Sequence, residues 1–86
     1  MVEEQITFHN QANIRVQAQI FTGRTLVSTC LANPGEIHTL RSGSVRHDIY
    51  LKNAATGWEV AHKRDNVAAT VVLRQHEGHY VLTEYK

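Results

Sequence analysis

Cysteine, proline, methionine and tryptophan occur once each in the 86 residues. Cys30 has no partner within the chain, so no intramolecular disulfide can form and the fold rests on packing and hydrogen bonds alone. At this length such a fold has a stability margin on the order of a few kcal/mol. One proline and five glycines punctuate the backbone sparsely, and no linker, internal repeat or low-complexity segment stands out. No apolar run approaches the roughly 20 residues that a membrane helix requires, which points away from a membrane partner. Charge of one sign is also lacking. Nine Lys and Arg oppose eight Asp and Glu, for a formal net charge of +1 with the six His neutral. No large single-sign field is available to draw in a polyanion, which disfavours a dedicated duplex-DNA binder. The opening Met1-Val2-Glu3-Glu4-Gln5 has neither a basic n-region nor an apolar h-region, so a reducing cytoplasm is the expected compartment.

What is present is ordinary globular material. A hydrophobic share of 42% and a charged share of 20% exclude the disordered and collagen-like classes, and the length fits one domain, residues 1–86. The apolar runs are short, rich in Val, Ile, Thr, Phe and Tyr, and most alternate with period two, the signature of strands with one buried face. Ile14, Val16, Ala18 and Ile20 share one face of the clearest run, with Arg15, Gln17 and Gln19 on the other. Ile6 and Phe8 repeat the pattern upstream, and the asparagines of residues 9–13 suggest a first hairpin between the two runs.

Residues 21–24 turn the chain into a third run, 25–31. Its inward set is either Leu26, Ser28 and Cys30 or Val27, Thr29 and Leu31, with the second favoured. Asn33-Pro34-Gly35-Glu36 is a turn by mechanism, since proline presets φ at the first central position and glycine accepts positive φ at the second. A short strand over 36–40 follows, then a break at Arg41-Ser42-Gly43-Ser44. Val45, His47, Ile49 and Leu51 then line one face, and Arg46, Asp48, Tyr50 and Lys52 the other. Residues 53–57 form a hairpin loop, and the chain returns over 58–62 with Trp58 and Val60 inward. Residues 67–73 are apolar on both faces and belong in the centre of a sheet. Residues 75–78 close a last tight hairpin with 79–85.

Seven to eight short strands joined by turn-sized loops predict an all-β domain, a small antiparallel β-sandwich. With its Pro-Gly-Glu turn after the third strand, the pattern is similar to an immunoglobulin-like or transthyretin-like sandwich in architecture. It lacks the two cysteines that bracket the core tryptophan of antibody domains, and Trp58 is alone. Architecture of this kind hosts many functions and implies no activity by itself.

His76 and His79 flank Glu77 at a hairpin tip, where strand ends face each other, and form the one close pair that could begin a metal site; zinc needs three or four ligands, and no spacing supplies the rest. His47 and His62 both fall in phase with an apolar strand face. Neighbouring strands would bring them together at one end of the sandwich, as satisfied core histidines or as a ligand-gripping pair. Cys30 lies in an apolar run with no adjacent cation, which raises a thiol pKa and makes it inert. No Gly-x-Ser-x-Gly elbow or phosphate-binding glycine loop occurs, and the eight acidic residues are scattered nearly singly, with the adjacent Glu3-Glu4 at a terminus, so neither catalysis nor a cofactor is expected.

Single-stranded nucleic acid would need exposed aromatics among cations. The face of Arg46, Asp48, Tyr50 and Lys52 offers one aromatic, interrupted by Asp48, which makes nucleic acid an unlikely partner and a solvated strand face the plainer reading. Stacking of Trp58 or the tyrosines on sugar rings is a further reading, set against Trp58 being in phase with the core. The uncharged runs 25–31 and 67–73 are either central or covered by a partner, which makes a homodimer plausible. The expectation is a non-enzymatic interaction module acting through strand faces or an edge, with a protein partner or a second copy; a histidine-based metal-ion or small-ligand binder is the alternative.

Overall fold

Alternating apolar residues pair into sheets only where their apolar faces can be buried together. A computed structural model, which describes residues 4–85, shows how this chain does it; Met1-Val2-Glu3, read above for leader features, lies outside the described residues. Eight strands form: β1 (Gln5–Gln11), β2 (Val16–Thr22), β3 (Thr25–Ala32), β4 (Ile37–Arg41), β5 (His47–Asn53), β6 (Glu59–Asn66), β7 (Thr70–His76) and β8 (His79–Tyr85). They make two four-stranded sheets, in the orders β4-β1-β7-β8 and β3-β2-β5-β6. The expected all-β sandwich is what the chain adopts. One pairing departs from the antiparallel rule: β1 and β7 run parallel, Phe8 opposite Val71. They are distant in sequence, so no tight turn dictates their direction.

Ile6 and Phe8 of β1 and Val71 and Leu73 of β7 face Val16, Ala18 and Ile20 of β2 and Ile49 and Leu51 of β5 in one buried cluster. β7 is central, as its two apolar faces require; Val71, Val72 and Leu73 are all buried. It begins at Thr70 rather than at 67, and Val67 is exposed.

The expected first hairpin does not form. β1 pairs with β4 and β7, β2 with β3 and β5, and residues 12–15 carry the chain from one sheet to the other. The asparagine that suggested a turn sets this crossing instead. Asn10, fully buried, donates from Nδ2 to the carbonyls of Ile14 (2.9 Å) and Ala32 (3.0 Å), and its Oδ1 accepts the Ala12 N–H. Its backbone holds the 33–36 turn, receiving Gly35 N–H at 2.7 Å and donating to the Glu36 carbonyl at 3.0 Å. That turn closes as its sequence predicts, with Gly35 at φ +87° and Glu36 N–H bonded to the Asn33 carbonyl.

Three phases differ from expectation, and a bulge explains two of them. In β3, Ser28 pairs with Ile20 but Leu26 with Phe21, so Val27 is an extra residue. Beyond it Cys30 and Ala32 turn inward, while Thr29 and Leu31, favoured as core, lie exposed. In β6, Ala61 pairs with Leu51 and Glu59 with Lys52, leaving Val60 as the extra residue. His62 therefore stands on the outer face. Trp58 precedes the strand, and with 76% of its surface exposed it is no core residue. Val45, expected to share the buried face of β5, lies ahead of that strand and is also exposed.

The loop of residues 42–46 is pressed against the β2–β3 hairpin. A Cβ on Gly43, at φ +75°, would come within 2.9 Å of Thr22 Oγ1 and Val27 Cγ2, so only glycine fits there. Thr22 Oγ1 donates to the Ser42 carbonyl at 2.9 Å beside it.

Candidate functional site

Strand alternation that buries Val16, Ala18 and Ile20 necessarily turns Gln17, Gln19 and Phe21 outward, and the same alternation in β5 turns out Asp48, Tyr50 and Lys52. Antiparallel pairing sets Gln19 opposite Tyr50 and Phe21 opposite Asp48. The bulge in β6 then adds His62 opposite Tyr50 and Glu59 opposite Lys52. The result is an aromatic row across three strands. Phe21 and Tyr50 meet edge to face, with ring centroids 5.6 Å apart and planes at 85°; Tyr50 and His62 lie 6.0 Å apart at 28°.

Beside this row is an open depression of about 340 Å³, lined by Gln19, Phe21, Gly23, Arg24, Tyr50, Lys52 and Glu59. The acidic groups in it and next to it are engaged. Glu59 Oε2 lies 2.9 Å from His62 Nδ1 and accepts its proton-bearing nitrogen, and Asp48 Oδ1 accepts the Asp65 N–H at 3.0 Å. Nearby, Arg64 has its guanidinium pKa raised, first by its interaction with the Tyr50 hydroxyl and then by the Asp48 carboxylate. Lys52 and Arg24 have no ion-pair or hydrogen-bond partner among the described residues and stand at the depression with free charge.

Of the residues singled out from sequence, Asp48, Tyr50, Lys52 and His62 share this face, whereas Arg46 lies just before β5 and is exposed. His47 goes the other way. It is buried, its Nδ1 3.2 Å from the Ser44 carbonyl and its Nε2 3.0 Å from Asn66 Nδ2. A carbonyl can only accept, so Nδ1 carries the proton and Nε2 receives the amide hydrogen. The imagined His47–His62 pair therefore does not exist: the bulges of β6 place Asn66, not His62, beside His47. His76 and His79 do face each other across the β7–β8 turn, and both are exposed. Among the described residues, no group of three His, Cys, Asp or Glu side chains is close enough to hold a metal ion.

Phe21, Arg24, Glu59 and Arg64 were not singled out from sequence. Phe21 was legible, since the period of β2 already assigned it to the outer face. Glu59 was legible too, since alternation with Trp58 and Val60 inward already turns it outward, whereas Arg64 depends on the β6 bulge, for which the sequence has no marker. Cys30, half buried and facing the interior, has its thiol pKa raised first by burial, with the Glu36 charge adding to it and a hydrogen bond at Ala18 opposing it. It is thus a protonated packing residue at neutral pH. No helix of the described residues is long and apolar enough to cross a membrane. No model of a known protein family matches the chain, and no curated protein matches it in sequence.

Proposed function

We propose that the protein is a non-enzymatic binding module that receives an acidic segment of a protein partner on the outer face of the β3-β2-β5-β6 sheet. One observation carries the reading: an aromatic floor, Phe21 and Tyr50, adjoins two cations without partners among the described residues, Arg24 and Lys52, while the neighbouring carboxylates of Glu59 and Asp48 are already engaged. Protein interfaces are centred on such aromatic and arginine anchors, with a polar rim. An aspartate or glutamate of the partner meets Arg24 and Lys52, and an aromatic or aliphatic side chain next to it covers the Phe21–Tyr50 pair. The lining groups stack and hydrogen-bond, and the one thiol faces away from them, so the face holds a partner rather than transforming it. A lone half-buried thiol with no disulfide to make suits a reducing, cytoplasmic setting.

Amide chemical-shift mapping tests this, with a random glutamate–tyrosine copolymer as the probe and a lysine–tyrosine copolymer as its control. The acidic polymer should shift Gln19, Phe21, Tyr50 and Lys52, the basic one should not, and Lys52→Glu should weaken binding about tenfold. Equal shifts from both polymers, shifts confined to the β7–β8 hairpin, or stronger binding of a single-stranded oligonucleotide would overturn the reading.

A further inference from the structure

A sheet edge carries a row of backbone donors and acceptors with no strand beside them, and proteins that stay monomeric blunt such edges with charge, brevity or bulges. The sandwich has four edge strands: β4, β8, β3 and β6. Three are blunted. β4 is five residues long and carries His38 and Arg41. β8 carries His79 and Glu84, and Glu84 lies 3.4 Å from Lys63 of β6. β6 carries Glu59, Lys63, Arg64 and Asp65 and has irregular register at two points. β3 differs from all of them. Its sequence Thr-Leu-Val-Ser-Thr-Cys-Leu-Ala contains no charged residue and no proline, and it is paired on one side only, to β2. Its bulge lies near the hairpin end at Val27, leaving a regular stretch from Ser28 to Ala32. Inward-facing Ser28 is tied to β4 of the other sheet, its Oγ donating to the Arg41 carbonyl at 2.6 Å. Thr25, Leu26, Thr29 and Leu31 stay exposed, the two leucines at 46% each.

We infer that β3 is a self-association edge, pairing antiparallel with β3 of a second copy to make one continuous eight-stranded sheet. The occupant follows from the charge pattern. A two-fold axis sets the residues beside it next to their own symmetry mates and faces the rest of the strand with the same strand reversed, so like charges near the axis repel while an uncharged strand has none to oppose. With the axis near Thr29, Leu31 of each copy lies toward Val27 and Leu26 of the other, covering the exposed leucines of both. One strand pair buries less than the roughly 1,600 Å² of a standard interface, so the dimer is reversible and depends on concentration. Because the axis stands perpendicular to the joined sheet, the two Phe21–Tyr50 faces look in the same direction. The dimer would then present two binding faces to one partner surface, a geometry that raises avidity without new contacts.

Sedimentation velocity of the full chain under reducing conditions, over a wide range of concentration, tests this. The wild type should move from monomer toward twice the monomer mass as concentration rises. Thr29→Lys should raise the dissociation constant about a hundredfold by setting two ammonium groups near the axis, with Leu31→Lys as the second variant should Thr29→Lys fail to fold. His79→Lys, on the β8 edge, and Lys52→Glu, on the binding face, should both leave the dimer intact, which separates this inference from the proposed binding site. A wild type that stays monomeric throughout, a dimer that survives in a folded β3 lysine variant, or one abolished by His79→Lys would overturn it.

Discussion

Two asparagines, Asn10 and Asn66, are buried completely, and each sits where the chain crosses from one sheet to the other. They solve the same problem to different degrees. Asn10 uses both ends of its amide: Nδ2 serves two carbonyls from different segments, and Oδ1 takes the Ala12 N–H. Asn66 donates to the Ala68 carbonyl and to His47 Nε2, both at 3.0 Å, but its Oδ1 has no partner among the described residues. The Ala68 carbonyl fixes which way the amide points, and the Ser44 carbonyl fixes which nitrogen of His47 bears the proton, so neither side chain can turn over to rescue that oxygen. A buried polar atom left unpaired costs about 1–3 kcal/mol. One crossing is fully satisfied and the other holds a deficit, so the two ends of the sandwich should not be equally stable.

The largest effect is expected for Asn10→Ala. It strips partners from the Ala12 N–H and from the Ile14 and Ala32 carbonyls, groups that bind β1, the crossing and the end of β3 together. The loss should reach about 3–5 kcal/mol, most of the stability of a domain this small, as read from urea denaturation. Asn66→Ala should cost less, about 1–3 kcal/mol, because removing the amide abandons His47 Nε2 and the Ala68 carbonyl but also removes the orphaned oxygen. Equal losses in the two variants would break the comparison. Heteronuclear NMR of the His47 ring sharpens it further: the proton should sit on Nδ1, and a ring protonated only at Nε2 would mean that Asn66 presents its oxygen instead.

Much of this arrangement was legible before the structure. Alternation placed Ile6, Phe8, Val16, Ala18, Ile20, Ile49 and Leu51 in the core, and the proline–glycine turn at 33–36 formed where its backbone chemistry required. The crossing at Asn10 was not legible, because an asparagine that bonds its neighbours in a tight turn and one that bonds a strand 22 residues away look alike in sequence. Bulges were the second blind spot. A single extra residue at Val60 inverts the faces of β6 beyond it, which turned His62 outward against expectation and hid Arg64 from the binding face, while Trp58 lies ahead of the strand altogether. The uncharged character of β3 was visible, but whether it lay at a centre or an edge depended on which strands pair across sheets, and no short-range pattern encodes that.

The smallest expected effect tests the outer rim of the Asn10 crossing. Glu36 belongs to the turn that hydrogen-bonds to the Asn10 backbone, and its Oε1 accepts the Asn33 N–H at 2.7 Å and lies 3.3 Å from His38 Nε2. The Asn33 N–H, and then the His38 ring, hold the Glu36 carboxyl below its ordinary value of 4.5. A carboxyl that is more acidic in the folded state contributes stability that is present in full above its unfolded pKa, and that contribution disappears as pH falls through the folded value. Glu36→Gln should therefore lower the urea midpoint slightly at neutral pH, and the gap between variant and wild type should narrow as pH drops below about 4.5. Solvent exposure keeps the effect small, because water screens the charge and competes for the same hydrogen bonds. If the gap instead stayed constant through the acid range, the carboxylate would not be holding the turn, and the extra stability of the Asn10 crossing would rest on its buried amide alone.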